Sequence, residues 1–208
     1  MKDSVVFLLV FLVCHLASAQ SEGGLEQYCY VKKGSSSILS PIVHYQYRTW
    51  YGEARHNYED VGTSSIYIGK IFSNQNNVSY SITPIVGAVM GKYKGGSIGL
   101  KISVDYKNLF FSSESQYTFS SNELYKNFLY SWSELGYQPL TWMYAGLALQ
   151  QTHLLKTEKT FETGVVVGFL VGKWTFPLYS FSPISRERYF VLGMNLVIGG
   201  KKISRPIR

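Results

Sequence analysis

Ser97–Tyr106 reads SIGLKISVDY, and its two alternating sets of side chains could hardly differ more. Ile98, Leu100, Ile102, Val104 and Tyr106 fall on one side. Ser97, Gly99, Lys101, Ser103 and Asp105 fall on the other. A period of two marks a β-strand lying between an apolar medium and a polar one. About ten residues is also the length of a tilted strand that crosses a bilayer.

The design recurs along the chain. Val43–Tyr51 sets Val43, Tyr45, Tyr47, Thr49 and Tyr51 against His44, Gln46, Arg48 and Trp50, and a polar connection with Glu53, Arg55, His56 and Asp60 follows. Ser65–Phe72 is a shorter strand, ended by the Asn-rich turn SNQNN. Val78–Met90 directs Tyr80, Ile82, Pro84, Val86 and Ala88 toward lipid and Ser79, Ser81, Thr83 and Gly87 inward. Pro84 removes a ladder donor there, which predicts a bulge. Further strands are expected at Leu109–Phe119, Asn127–Tyr137, Leu140–Thr152, Thr163–Trp174, Thr175–Phe181 (broken by Pro177) and Arg188–Gly199. In Asn127–Tyr137 the inward face stays open, because Phe128, Tyr130 and Trp132 share a side with Glu134. In Thr163–Trp174, Gly164, Gly168 and Gly172 predict a crowded, glycine-lined interior. The expected fold is all-β: an antiparallel up-and-down transmembrane barrel of about ten strands, or eight if the second and ninth candidates do not span.

Composition agrees with two media averaged along each strand. Charged residues are 16% and aromatic residues 16%, with 17 tyrosines that suit both strands and membrane interfaces. Mean hydropathy is −0.01, although past the N-terminal run no segment is uniformly apolar.

Met1–Ala19 has the form of an export signal. The run VVFLLVFLV at Val5–Val13 is too short for a usual membrane span, and Ala17 and Ala19 give a small-x-small pattern that predicts cleavage after Ala19. That leaves no transmembrane helix candidate, and lipid admits only helices and closed barrels. Residues 20–40, Ser- and Gly-rich, are expected to be a mobile leader or a loosely docked plug, the barrel to span 41–199, and 200–208 to be a basic tail. Cleavage would leave Cys29 without an intrachain partner.

Three segments, YEDVGTSSIYIGKIFS (Tyr58–Ser73), TPIVGAVMGKYKG (Thr83–Gly95) and NFLYSWSELGYQP (Asn127–Pro139), resemble a family of uncharacterised bacterial outer-membrane β-barrel proteins of the Bacteroidetes type. The resemblance runs from about Tyr47 to Ile198. It implies the barrel fold and an outer-membrane location, and it carries over no catalytic residue.

For function, the pattern favours a non-enzymatic structural, narrow-channel or binding barrel. Arg48, Lys101, Asp105, Glu114, Glu134 and Gln150 are the lumen-facing candidates, the simplest expectation being that they pair with one another and with water. A barrel-embedded lipid hydrolase or deacylase is the alternative, with His44, His56 and His153 as candidate bases, but no GxSxG elbow accompanies them. A soluble secreted β-sandwich binding module is the third reading. No CxxC, HExxH or clustered His/Cys pattern points to a metal, and nothing points to a cofactor or to nucleic acid. Expected partners are outer-membrane lipids, including lipopolysaccharide phosphates for Lys201, Lys202, Arg205 and Arg208.

Overall fold

The computed structural model describes residues 21–121, 127–154 and 158–199. The expected export signal and basic tail lie outside these. Within them are thirteen strands: β1 (Ser21–Lys32), β2 (Ile38–Tyr47), β3 (Trp50–His56), β4 (Thr63–Lys70), β5 (Phe72–Gln75), β6 (Ser79–Gly91), β7 (Gly95–Tyr106), β8 (Leu109–Ser120), β9 (Phe128–Leu140), β10 (Met143–Leu154), β11 (Glu158–Val171), β12 (Trp174–Phe181) and β13 (Tyr189–Gly199). Pairing is antiparallel and follows chain order, and β1 pairs with β13, which closes the sheet into a barrel. Closure leaves no open edge to satisfy in lipid.

β4 and β5 are one crossing. Both pair with β6 in a single register, Gly69 opposite Ile85 and Phe72 opposite Ile82. The break between them falls opposite Thr83–Pro84, where the proline offers no N–H. The barrel wall therefore has twelve positions, which corrects the expected ten. The two further strands are β1, in the segment expected to be a leader, and β3, in the segment expected to be a polar connection. Pro84 also forms no bulge: it stays in register with Leu100 of β7. The register shift among the described pairings lies between Met143 and Ala145.

Both described termini lie at one rim, where β2–β3, β7–β8, β9–β10 and β11–β12 join through two-residue turns at 48–49, 107–108, 141–142 and 172–173. Each turn is sealed to the next crossing. Thr49, Asn108, Trp142 and Lys173 accept through their carbonyls from the N–H groups of Ile71, Gln138, Leu170 and Val197. Connections at the opposite rim are longer, as at 57–62 and 182–188.

The outer wall is apolar. Ile66, Ile68, Val86, Ile98, Leu135 and Leu147 are each more than half exposed. A continuous apolar surface of this kind is incompatible with water and suits the hydrocarbon of a bilayer. Aromatic side chains, among them Tyr47, Trp50, Tyr106, Tyr137 and Trp142, ring the short-turn rim on the outside.

Inside, aromatic rings lie against glycines of the neighbouring strand. Tyr67 pairs with Gly87, Phe110 with Gly136, Tyr144 with Gly168, His44 with Gly24 and Phe181 with Gly164. A Cβ at Gly168 would stand 2.1 Å from the Tyr144 ring, and one at Gly136 2.1 Å from Phe110. The absent side chain lets each ring lie along the wall instead of reaching across the lumen. Gly164 and Gly168 thus line the interior as expected, whereas Gly172 sits in a turn at positive φ.

Candidate functional site: the polar lumen

The inward rows place a charged cluster at mid-height. Arg55 on β3 is its centre, with a side chain 0% exposed. Its guanidinium bonds Glu53, lies 2.7 Å from Glu114 Oε1, and donates to Gln116 Oε1 at 2.9 Å. The rings of Tyr58 and Tyr67 flank it at 4.4 and 4.5 Å. Beside it, Lys101 Nζ donates to Glu53 Oε2 at 2.6 Å and to the Tyr51 hydroxyl at 2.8 Å, and lies 3.3 Å from Glu114 Oε2. Lys101 and Glu114 oppose each other directly across β7 and β8. Two cations and two carboxylates thus form one crosslinked unit, the arrangement that makes buried charge tolerable.

The connection at 57–62 bends inward to complete the cluster. Glu59 comes within 3.9 Å of Arg55 and accepts from Ser65 Oγ at 2.7 Å and from the Tyr67 hydroxyl at 2.9 Å. Tyr58 meets Tyr130 edge-on at 5.4 Å. Toward the longer-loop rim, Tyr93, Phe128, Tyr130, Trp132, Phe181 and Tyr189 pack together and narrow the lumen.

Smaller acidic groups complete the interior. Glu26 accepts from the Tyr28 hydroxyl at 2.7 Å and lies 3.3 Å from His44 Nδ1. Glu134 accepts from Trp132 Nε1 at 2.8 Å and from the Tyr179 hydroxyl at 2.9 Å. Tyr189 donates to Glu162 at 3.0 Å and to Gln150 at 3.3 Å. Among the described lumen residues the permanent cations are Arg55 and Lys101, and they are outnumbered by the carboxylates of Glu22, Glu26, Glu53, Glu59, Glu114, Glu134, Glu162 and Asp105.

On the short-turn side of the cluster lies a cavity of about 210 Å³. Glu22, His44 and Gln46 line one flank, Ser81, Thr83, Ser103 and Ser112 the other, and Lys101, Tyr51 and Glu114 its inner end.

Five of the six sequence candidates therefore face inward. Lys101 and Glu114 meet. Glu134 and Gln150 belong to separate hydrogen-bonded groups on β9 and β10, and Asp105 borders a shallow cavity near the short-turn rim. Arg48 is the exception. It occupies the β2–β3 turn at φ 54°, exposed, with its guanidinium 5.4 Å from the Tyr47 ring centre. The alternation that pointed it inward ends at Tyr47, because the chain reverses there. Glu53, Arg55, Glu59 and Glu26 were missed. For Glu53 and Arg55 the available signal was period two in Tyr51, Glu53 and Arg55, with small Gly52 and Ala54 between.

The candidate bases are dispersed. His44 is in the lumen beside Glu26. His56 is exposed, with Nδ1 2.9 Å from Ser64 Oγ, and no described carboxylate contacts the pair. His153 lies in β10, and its side chain is outside the described set. Among the described residues no group of His, Cys, Asp and Glu has the spacing of a metal site.

No family model matches the sequence, and no curated relative does. Solved structures do. The KdgM porin aligns with a TM-score of 0.61 at 12% identity, covering 83% of this chain and 98% of that one. The KdgM porin in complex with disordered oligogalacturonate aligns with the same score and coverage at 10% identity. At these identities the likeness concerns the fold: a closed, antiparallel porin-type barrel. The Bacteroidetes-type family suggested by the three sequence segments finds no counterpart among these matches.

Proposed function

We propose that this chain is a non-enzymatic outer-membrane channel barrel with a narrow lumen that favours cations. The observation that carries the reading is the surplus of inward carboxylates over Arg55 and Lys101. In a confined lumen of low dielectric, unbalanced charge of one sign sets which ions enter. The porin-type fold and the apolar outer wall support the location, and the aromatic packing near the longer-loop rim supports a narrow passage.

The same surplus separates this chain from its structural neighbour in one respect. Oligogalacturonate, present in one KdgM structure, is a polyanion. A carboxylate-rich lumen repels a polyanion, so the solute proposed here is a small cation or a small neutral molecule.

Flux from liposomes tests the reading. Vesicles containing the protein are loaded with labelled rubidium and chloride, and valinomycin or a chloride carrier is added in turn to dissipate charge. With the chloride carrier present, rubidium must leave through the protein and efflux should be fast; with valinomycin, which itself carries rubidium, chloride must leave through the protein and efflux should be slow. Faster chloride than rubidium movement through the protein would refute the cation preference, and no movement of either would refute the channel.

A further inference from the structure

Charge is sorted by face at the short-turn rim. The described carboxylates of that half point into the lumen, while Arg48, Lys70, Lys107 and Lys173 stand on the outside or in the turns. Three of the four lie by an outward aromatic ring: Arg48 5.4 Å from the Tyr47 ring centre, Lys70 5.6 Å from Trp50, and Lys107 5.2 Å from Tyr106. Trp50 and Lys70 are also direct cross-strand partners. Of the described acidic side chains in this half, Asp105 comes nearest to these cations, bordering a rim cavity that Lys107 also lines.

Two of these cations sit where the backbone disfavours them. Arg48 has φ 54° and Lys107 φ 52°, the left-handed region that favours glycine. The turn at 172–173 shows the relaxed solution, with Gly172 at φ 65° and the cation moved one place on, to Lys173. Carrying Arg or Lys at the strained position costs about 1 kcal/mol or more. The fold does not require the cost, since the Gly172 turn closes its hairpin without it.

We propose that the outer short-turn rim is a binding surface for anionic phospholipid headgroups. The aromatic rings sit at the headgroup level, and the cations beside them meet the lipid phosphates. Tyr47 and Lys70 are the cross-strand partners of Trp50, and Arg48 lies by the Tyr47 ring, so these four side chains form one part of the surface. A zwitterionic headgroup offers the same phosphate with a compensating ammonium, so the surface prefers lipids with net negative charge. This inference concerns the outer wall alone and holds or fails independently of the ion preference of the lumen.

The test uses the full chain, refolded into phosphatidylcholine nanodiscs with increasing phosphatidylglycerol. Lipid retained after detergent extraction is counted by native mass spectrometry, and thermal unfolding is followed in parallel. Wild type should retain phosphatidylglycerol over phosphatidylcholine by about fivefold for each cation engaged. Inorganic phosphate at equal concentration should not shift the unfolding temperature, which separates a headgroup surface from a free-phosphate site. In Arg48→Gly/Lys107→Gly/Lys70→Gln, the lipid preference should fall toward unity while stability in phosphatidylcholine stays level or rises, because turn strain is relieved. A purely structural role for these side chains predicts the reverse: lower stability and unchanged lipid preference. Equal retention of both lipids by wild type, or undiminished preference in the variant, would overturn the proposal. Should the glycine variant fail to insert, Lys70→Gln/Lys173→Gln changes no residue of positive φ and is judged by the same two outcomes.

Discussion

Arg55 holds together more of the lumen than any other described side chain, since Glu53, Glu59, Glu114 and Gln116 all converge on it. Replacing it with Met removes the partner and leaves the carboxylates buried, which costs about 3–5 kcal/mol. The denaturant midpoint of Arg55→Met, followed by loss of the fast-migrating unheated band, should fall accordingly; a midpoint equal to wild type would mean that the carboxylates are solvated. Lys101→Gln is milder for stability, because Arg55 still neutralises Glu53 and Glu114, but it removes one of two lumen cations. Its cation-to-anion permeability ratio should rise above that of wild type, and a fall would contradict the charge account. The facing of Lys101, Asp105 and Glu114 was legible in the sequence because their strands alternate large apolar and small polar residues. Arg48 was not, since neither Arg48 nor Thr49 carries the glycine, asparagine or proline that usually announces a turn.

At the scale of elements, alternation works only where the lumen side is small and polar. β7 is such a strand. β3, WYGEARH, inverts the contrast: Tyr51, Glu53 and Arg55 are the large inward groups, and Gly52 and Ala54 are small and outward. β1, SEGGLEQYCYVK, does the same with Tyr28 and Tyr30 inward and Gly23 and Cys29 on the other row. Both strands were therefore missed, and the count fell short by those two. The strands around Pro84 and Pro177 were found despite their prolines, because register on either side carries the pairing. The ring-over-glycine pairs make a further prediction. Gly136→Val puts side-chain atoms where the Phe110 ring now lies, 2.1 Å from a Cβ. The ring must swing into the lumen, so single-channel conductance should drop and stability should fall by about 1–3 kcal/mol. Unchanged conductance would show that the ring has room to move along the wall.

At the scale of the whole molecule, the formal charge of +7 conceals an opposite interior. Arginine and lysine crowd the two rims, as at Lys32, Lys92, Arg186 and Arg188 on one and Arg48, Lys107 and Lys173 on the other. Most of the described carboxylates are gathered inside, while Asp60 and Glu187 pair with Lys92 and Lys32 at the longer-loop rim. Net charge read from composition suggested contact with phosphates, and it could not reveal that the passage itself is acidic, because that depends on which side of the wall each residue faces. The most direct test is the zero-current potential of the purified protein in a planar bilayer under a tenfold gradient of potassium chloride. A cation-favouring lumen predicts that the dilute side becomes positive, and a dilute side that becomes negative would contradict it.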